Sequence, residues 1–176
     1  MIGLPNFEDC RLRVAGFVEG LTESGTPFRV VQEVDGQGLK ERAFKVAQDA
    51  LTAHPQVNAI FGINDDSSTG GMAAYRAAGL DEGRLTVIGF GFEGTVGQTA
   101  LLGRTPYRAA LAMFPQFVGT CLVEAAVSLA EGKAVPARYE TPTTMVTLDT
   151  FPIYYQPDGS GHTLDLGAVR RLMPSR

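Results

Sequence analysis

The sequence predicts a three-layer α/β domain, in which a mainly parallel sheet of about five strands carries helices on both faces. Two observations favour this class. Amphipathic helical segments alternate with short apolar runs along most of the chain, which is the pattern of strand–helix units. The chain also contains 21 glycines among its 176 residues, and such units need turn residues at each strand end.

The first half of the chain supplies three predicted helices and two predicted strands. Apolar residues at helical spacing predict helices over 8–24, 35–53 and 67–79. Between them, Phe28–Val31 is predicted as a short strand. The nearly continuous apolar run Val57–Ile63 is typical of a strand that is covered on both faces in a parallel sheet.

The second half continues the alternation. Leu85–Phe90 is the next apolar strand, and residues 94–102 form a predicted helix that an internal glycine weakens. Residues 117–130 give the clearest amphipathic helix of the chain. A late strand is predicted at Met145–Leu148, and residues 156–176 are expected to form a polar C-terminal tail.

Composition excludes several classes of protein. Fifteen Lys and Arg against 19 Asp and Glu give a formal net charge of −4, and no local run supplies the basic patch that nucleic acid requires. With 44% hydrophobic and 19% charged residues, the chain can bury a core. No apolar run approaches the roughly 20 residues of a membrane span. We therefore expect a folded domain that neither binds nucleic acid nor inserts into a membrane.

Motifs for catalysis and for metal binding are weak. Cys10 and Cys121 lie far apart without Cys-x-x-Cys spacing, so no zinc site, disulfide framework or cofactor is predicted. His54 ends a predicted helix and His162 lies in a Gly-rich segment, so neither indicates catalysis. Residues 89–94 match Gly-x-Gly-x-x-Gly after a strand, but no acidic residue follows about 20 positions later. A non-enzyme is expected, with a nucleotide-dependent enzyme as the alternative.

Linked motifs give the chain a resemblance to a known family. In chain order they are Arg11–Phe17, Leu51–Pro55 followed by Ala59–Asp65, and Val87–Phe90. Together they resemble the C-terminal lobe of type I periplasmic sugar-binding proteins, a fold that ribose-binding proteins share with LacI-type repressors. The resemblance implies a lobe over 1–155, one half of a clamp that closes on a sugar at the carboxyl ends of parallel strands.

The resemblance also implies four ligand-binding positions. Arg13 matches an arginine whose planar fork donates to sugar hydroxyls, and Asn64 matches an asparagine whose amide both donates and accepts. The carboxylate of the family falls on Gly91, and Glu93 is the substitute that two extra residues leave. Met113 stands where ribose binders place a glutamine in the hinge strand. The chain therefore offers fewer polar side chains to a sugar than those binders do.

Three of these positions also have a structural interpretation. Arg13 lies one turn into a predicted helix, where arginine side chains are often solvated. Asn64 and Asp65 can cap the helix that starts near Ser67, because their side chains accept from the free amides of a helix start. Glu93 is also consistent with a surface carboxylate. Capping and ligand binding can coexist at Asn64.

The N-terminal lobe of the family would precede Met1, so we expect the chain to be a truncated single lobe. Residues 108–141 contain the segment that would cross to that lobe. The apolar face of the helix over 115–131 then needs another cover, since an exposed patch of that size is uncommon on a monomer. We expect a second copy of the chain, or a position that the family does not use, to provide it.

The resemblance implies a solute-binding component of an ABC-type transporter, with a small-molecule sugar and an ABC permease as partners. The alternative within the fold is the effector-binding and dimerisation domain of a LacI-like regulator. A periplasmic or extracytoplasmic location follows from the resemblance, and a cytoplasmic one if Met1 is the natural start, because Met1–Pro5 lacks the features of a signal peptide. The isolated lobe is expected to bind sugar weakly or not at all, because it encloses only one side of the ligand.

Overall fold

Short strands form the centre of the structure, a computed structural model that describes residues 1–173. In chain order they are β1 (Ile2–Gly3), β2 (Val34–Asp35), β3 (Ala59–Phe61), β4 (Thr86–Gly91), β5 (Tyr107–Ala112), β6 (Thr144–Thr147), β7 (Tyr155–Pro157) and β8 (His162–Leu164). The helices are α1 (Glu8–Glu23), α2 (Lys40–Ala53), α3 (Asp65–Ala77), α4 (Thr95–Leu102), α5 (Pro115–Ala130), α6 (Phe151–Tyr154) and α7 (Leu166–Arg170).

The sheet is mainly parallel, as the sequence predicts. Strands β3, β4 and β5 pair in parallel in that order, and β6 pairs antiparallel with β5 at the edge. Strands β1 and β2 are also parallel to each other. A parallel bridge between Ile2 and Gly62 joins β1 to the end of β3, so the strand order is β2-β1-β3-β4-β5-β6. The predicted fold class is confirmed.

The two faces of the sheet are covered unequally. Successive side chains of a strand point to opposite faces. Val87 of β4 is fully buried in a large core together with α2, α3 and α4, whereas Ile88 and Phe90 belong to a smaller cluster beneath α1. In that smaller cluster the rings of Phe17 and Phe61 stack with centroids 4.3 Å apart. One face therefore carries a thick helical layer and the other mainly α1.

One predicted strand is wrong. The sequence predicts a strand over Phe28–Val31, but residues 26–33 have no regular secondary structure, and the strand lies at Val34–Asp35 instead. Phe28 and Val30 are 42% and 44% exposed. The neighbouring strand β1 offers only two residues for pairing, so the apolar run has no partner that would draw it into the sheet.

The second predicted helix starts later than the sequence indicates. It is predicted from Asp35, whereas α2 begins at Lys40. Gln37 and Gly38 adopt left-handed backbone angles, with φ of 53° and 68°, which no helix can contain. The intervening residues form a tight turn at the carboxyl end of β2.

The segment that the sequence predicts as a polar tail contains regular secondary structure and packs on the main core. Strands β7 and β8 form an antiparallel hairpin, and α7 follows, with Ala168 and Val169 buried in the main core. The side chain of Asp165 caps α7 by accepting from the Ala168 amide at 2.9 Å. Residues 174–176 of that segment lie outside the described residues. The apolar pair is too short to stand out in a polar stretch, which explains the difference.

Helix α5 packs on the main core through few of its apolar residues. Phe117 and Cys121 are buried in the main core, and α7 packs beside them. Leu122 and Leu129 are 67% and 59% exposed, so this docking leaves the expected apolar face uncovered. Among residues 1–173, no helix is both long enough and apolar enough to cross a membrane.

Candidate ligand-binding edge of the sheet

The carboxyl ends of the parallel strands meet at one edge of the sheet. Each predicted site residue follows one of these ends: Arg13 lies on α1 after β1, Asn64 follows β3, Glu93 follows β4 and Met113 follows β5. Open α/β sheets bind their ligands at this edge. The topology therefore places all four positions at one end of the lobe.

Arg13 is held at this edge by contacts to three neighbours. Its Nη1 donates to the carbonyl oxygen of Ile63 at 2.9 Å, and its Nη2 lies 3.9 Å from Sδ of Met113. Its guanidinium carbon is 4.4 Å from the ring centroid of Phe90, a cation–π contact. The structure thus brings Arg13 and Met113 together. A guanidinium has five N–H donors, so the bond to Ile63 leaves donors for a ligand.

Asn64 is the N-cap of α3, as one of the two interpretations predicts. Its Oδ1 accepts from the Ser67 amide at 2.8 Å, and its Nδ2 donates to the carbonyl oxygen of Gly38 at 3.0 Å. These bonds fix the amide between α3 and the turn after β2. An asparagine amide has two donors and two lone pairs on its oxygen, so one of each remains for a ligand.

Glu93 lies on a tight turn of residues 91–94 that projects from β4. Gly91, Phe92 and Gly94 have φ of 98°, 52° and 68°, so three of the four residues are left-handed. Phe92 points inward and packs edge-on against the rings of Phe151 and Tyr155, at centroid distances of 6.2 and 5.5 Å. Glu93 is exposed. The two extra residues of this region therefore form an anchored turn that presents a carboxylate.

A residue that the sequence analysis did not select lies beneath this turn. Asp65 is 6% exposed, and its carboxylate accepts from the Tyr107 hydroxyl at 2.5 Å and from the Glu93 amide at 3.0 Å. Burial raises the pKa of Asp65 to about 6, against the opposing effect of these two bonds. The sequence shows Asp65 only as half of an Asn–Asp pair at a helix start. No local sequence pattern links Asp65 to Tyr107.

The two tyrosines near Asp65 remain hydroxyl donors. Burial, together with the negative charge of Asp65, holds the pKa of Tyr107 and of Tyr155 well above the usual range. Tyr107 also packs against Gly89 of β4, where any Cβ would overlap its ring. Gly89, the first glycine of the Gly-x-Gly-x-x-Gly match, therefore lies inside β4 and makes room for Tyr107. A dinucleotide-binding motif needs its first glycine in the strand–helix turn, so the match does not have the geometry of that motif.

An open cavity of about 720 Å³ adjoins Arg13 between α1 and the sheet. Its walls are mostly apolar, with Phe17, Phe61, Phe90 and Leu111 among them. Asn64 and Glu93 do not line it. A sugar needs partners for its hydroxyl groups. The cavity alone is therefore not a sugar site, since only Arg13 and Met113 of the four predicted site residues line it.

The fold and this edge are those of α/β lobes whose ligands lie at the carboxyl ends of parallel strands. Residues 1–134 match the family described as "Periplasmic binding protein domain". The chain belongs to this family, as its linked motifs predict.

The chain spans about half the length of the curated relatives it matches. The ribose import binding protein RbsB of Escherichia coli is 28% identical over 144 residues, which are 82% of this chain and 47% of that protein. A Caulobacter myo-inositol binding protein bound to myo-inositol superposes with a TM-score of 0.70 at 27% identity, covering 85% of this chain and 51% of that one. An ABC transporter periplasmic solute binding protein from Actinobacillus succinogenes with bound D-allose gives 0.77 at 22% identity, covering 87% and 53%.

Proposed function

We propose that this chain is one lobe of a sugar-binding protein that serves an ABC-type importer. One observation carries the proposal: Arg13 and Asn64 lie at the same carboxyl edge of a parallel sheet and keep hydrogen-bonding capacity for a ligand. A relative named for ribose import and a solved neighbour that holds myo-inositol support a ligand rich in hydroxyl groups. The role is binding and not catalysis.

Each predicted residue has a distinct part in the proposed site. The guanidinium of Arg13 donates to two neighbouring hydroxyls, since its fork matches two oxygens. The Asn64 amide donates to one hydroxyl and accepts from another. Glu93 accepts from a hydroxyl at the rim, where its carboxylate makes the stronger, charge-assisted bond. Met113 packs its thioether against the carbon face of the ligand and keeps Arg13 in place.

The proposed site is one half of a clamp, because the chain spans about half the length of the curated relatives it matches. A sugar bound to this edge alone keeps one side in water, so each hydrogen bond gains little over hydration. We propose that an N-terminal lobe completes the clamp and that the closed form is delivered to an ABC permease. The family to which the chain belongs supports a periplasmic location.

We also propose that a second copy of the chain covers the exposed apolar face of α5. Four large apolar side chains of this helix are more than half exposed: Leu122, Val123, Val127 and Leu129. Burying such a face against its own copy removes apolar area from water at about 25 cal/mol per Å². An association of this kind is isologous, so the same face serves both copies.

The exposed face of α5 also fits the alternative, the effector-binding and dimerisation domain of a LacI-like regulator. The coding sequence upstream of Met1 separates the two functions. A helix-turn-helix segment there indicates a regulator, whereas a signal peptide followed by an N-terminal lobe indicates transport. The sugar site at the sheet edge is the same in both.

A titration of the 176-residue chain with D-ribose, followed by NMR, tests the site directly. We expect the side-chain signals of Arg13 and Asn64 to shift at millimolar sugar, while the backbone signals of residues 54–58, which precede the amino end of β3, stay in place. The Arg11 side chain serves as a matched control, because it lies on the same helix and donates to the Pro5 carbonyl instead. Saturation at micromolar sugar would contradict the half-clamp account, and unmoved Arg13 and Asn64 signals would contradict the site.

A further inference from the structure

Asp65 is the one buried carboxylate among residues 1–173, and it connects three elements. It starts α3, accepts from Tyr107 of β5, and accepts from the backbone of the turn of residues 91–94. Gly97 of α4 closes the remaining side, since a Cβ there would lie 2.8 Å from the carboxylate. The carboxylate is thus enclosed by parts of the chain that are distant in sequence.

Capping of α3 does not explain this burial. Asn64 already caps the helix through the Ser67 amide, and the donors to Asp65 come from outside α3. A buried carboxylate costs free energy unless it is hydrogen-bonded. The partner that ties it to the ligand-binding edge is the amide of Glu93.

We propose that Asp65 is a positioning residue, which fixes the turn of residues 91–94 through the Glu93 amide and so holds the Glu93 carboxylate at the ligand-binding edge. The inference rests on the proposed function, in which Glu93 accepts from a sugar hydroxyl. Phe92 secures the inner side of the same turn, between the rings of Phe151 and Tyr155. Tyr107 orients the carboxylate so that its second oxygen meets the Glu93 amide.

The hydrogen bond from the Glu93 amide to Asp65 depends on pH, because an ionised carboxylate accepts a stronger hydrogen bond than a neutral one. The ionisable groups that face Asp65 are Tyr107 of β5, Tyr155 of β7, Asp66 of α3 and Glu93 itself. The two tyrosines stay neutral, since their pKa values lie above the usual range. The carboxylates of Asp66 and Glu93 act with burial to raise the pKa of Asp65 to about 6. The turn is therefore held above that pH and loosened below it.

Amide hydrogen exchange of the whole 176-residue chain tests the proposal without any ligand. We expect Asp65→Asn to speed exchange at Glu93 on the order of tenfold, because one hydrogen bond to a charged group is lost. Asp66→Asn is the matched control, which removes the same charge one residue along the same helix and leaves Glu93 protected. In the unsubstituted chain, protection of the Glu93 amide falls as the pH is lowered, with a midpoint near pH 6 after correction for intrinsic exchange. That midpoint is absent in Asp65→Asn.

A second variant keeps the test decisive if Asp65→Asn does not fold. Tyr107→Phe removes one donor to the carboxylate, so the midpoint at Glu93 moves to higher pH. Unchanged protection in Asp65→Asn, equal loss in Asp66→Asn, or an unmoved midpoint in Tyr107→Phe overturns the role of Asp65. Addition of D-ribose is a separate measurement. If it leaves Arg13 and Asn64 unperturbed, the sugar function fails, while exchange at Glu93 still decides whether Asp65 holds the turn.

Discussion

At the scale of single residues, Asp65 links folding to pH. Its carboxyl has a pKa of about 6 in the folded chain against a reference value of 3.8. The folded state therefore binds more protons between these values, so the free energy of unfolding falls as pH rises through that window. The difference corresponds to about 3 kcal/mol. As pH rises through this window, the stability of the whole chain falls, whereas the turn of residues 91–94 is held more tightly because the hydrogen bond from the Glu93 amide strengthens.

We predict that Asp65→Asn changes the pH dependence of stability. The amide does not ionise, so it escapes the loss of stability that the ionisation of Asp65 causes. The free energy of unfolding of the variant, relative to that of the unsubstituted chain, therefore rises by up to about 3 kcal/mol from about pH 4 to about pH 7. Urea denaturation of both chains at the two pH values measures this difference. Asp66→Asn serves as the control. A stability difference between Asp65→Asn and the unsubstituted chain that is the same at both pH values would contradict the prediction.

The residues predicted from sequence are those that belong to contiguous motifs. Arg13 and Asn64 each occur within a short run of family-like sequence, and the cap at Asn64 needs only the local rule for helix starts. Asp65 escapes such reasoning because its partner Tyr107 is 42 residues away. Its burial depends on how β4, β5 and α4 pack, and no local pattern encodes that packing.

At the scale of elements, the contact between α3 and α4 depends on a glycine. A Cβ at Gly97 would lie 2.8 Å from the Asp65 carboxylate, which is closer than ordinary van der Waals contact. The carboxylate cannot move away without breaking the bonds from Tyr107 and Glu93. Gly97 therefore costs α4 some helix propensity and allows the close packing.

We predict that Gly97→Ala destabilises the chain by about 1–3 kcal/mol, through overpacking against Asp65. Gly119→Ala is the matched control, because Gly119 is also inside a helix and nothing lies within 4 Å of the position that the added methyl group would take. This control is expected to stabilise by up to about 1 kcal/mol through helix propensity. Urea denaturation of the two variants compares them. Equal effects of the two substitutions would count against the tight α3–α4 contact.

Helix α5 exposes the apolar face that we propose a second copy covers. If a second copy covers its apolar face, Leu122→Lys should shift the chain toward monomer, because it places a charge in the proposed interface. Gln48→Lys, an exposed change on α2, should leave association unchanged. Sedimentation velocity over a range of concentrations measures both. A chain that is monomeric at every concentration would refute the proposed association.

Elements with a regular pattern of apolar residues could be predicted from the sequence. Elements whose position depends on strand pairing or on turn geometry could not. The apolar run that contains β3 and the alternation of α2, α3 and β4 identify the layers of the fold. The run Phe28–Val31 has the composition of a strand, yet it lacks a long enough neighbour to pair with. The late start of α2 follows from left-handed angles at Gln37 and Gly38, of which only the glycine signals a turn.

At the scale of the whole molecule, the ligand edge and the uncovered surfaces support one account. Arg13 and Asn64 lie at the carboxyl edge of the sheet, where we propose that they form one side of a binding site. The α1 face of the sheet exposes apolar side chains, among them Leu12 and Met145. The chain spans about half the length of the curated relatives it matches. These observations fit a lobe whose affinity for a sugar depends on a second lobe.

Calorimetry with D-ribose measures whether Arg13 and Asn64 hold a sugar, on a protein in which this chain follows the N-terminal lobe of the Escherichia coli relative. We predict measurable binding that Arg13→Ala and Asn64→Asp each weaken by about tenfold to a hundredfold, because hydroxyls lose partners. Asn64→Asp keeps a cap acceptor for α3 while it removes the amide donor. Arg11→Ala is the control and should bind as the unsubstituted protein does. Binding that survives both site substitutions unchanged would contradict the account.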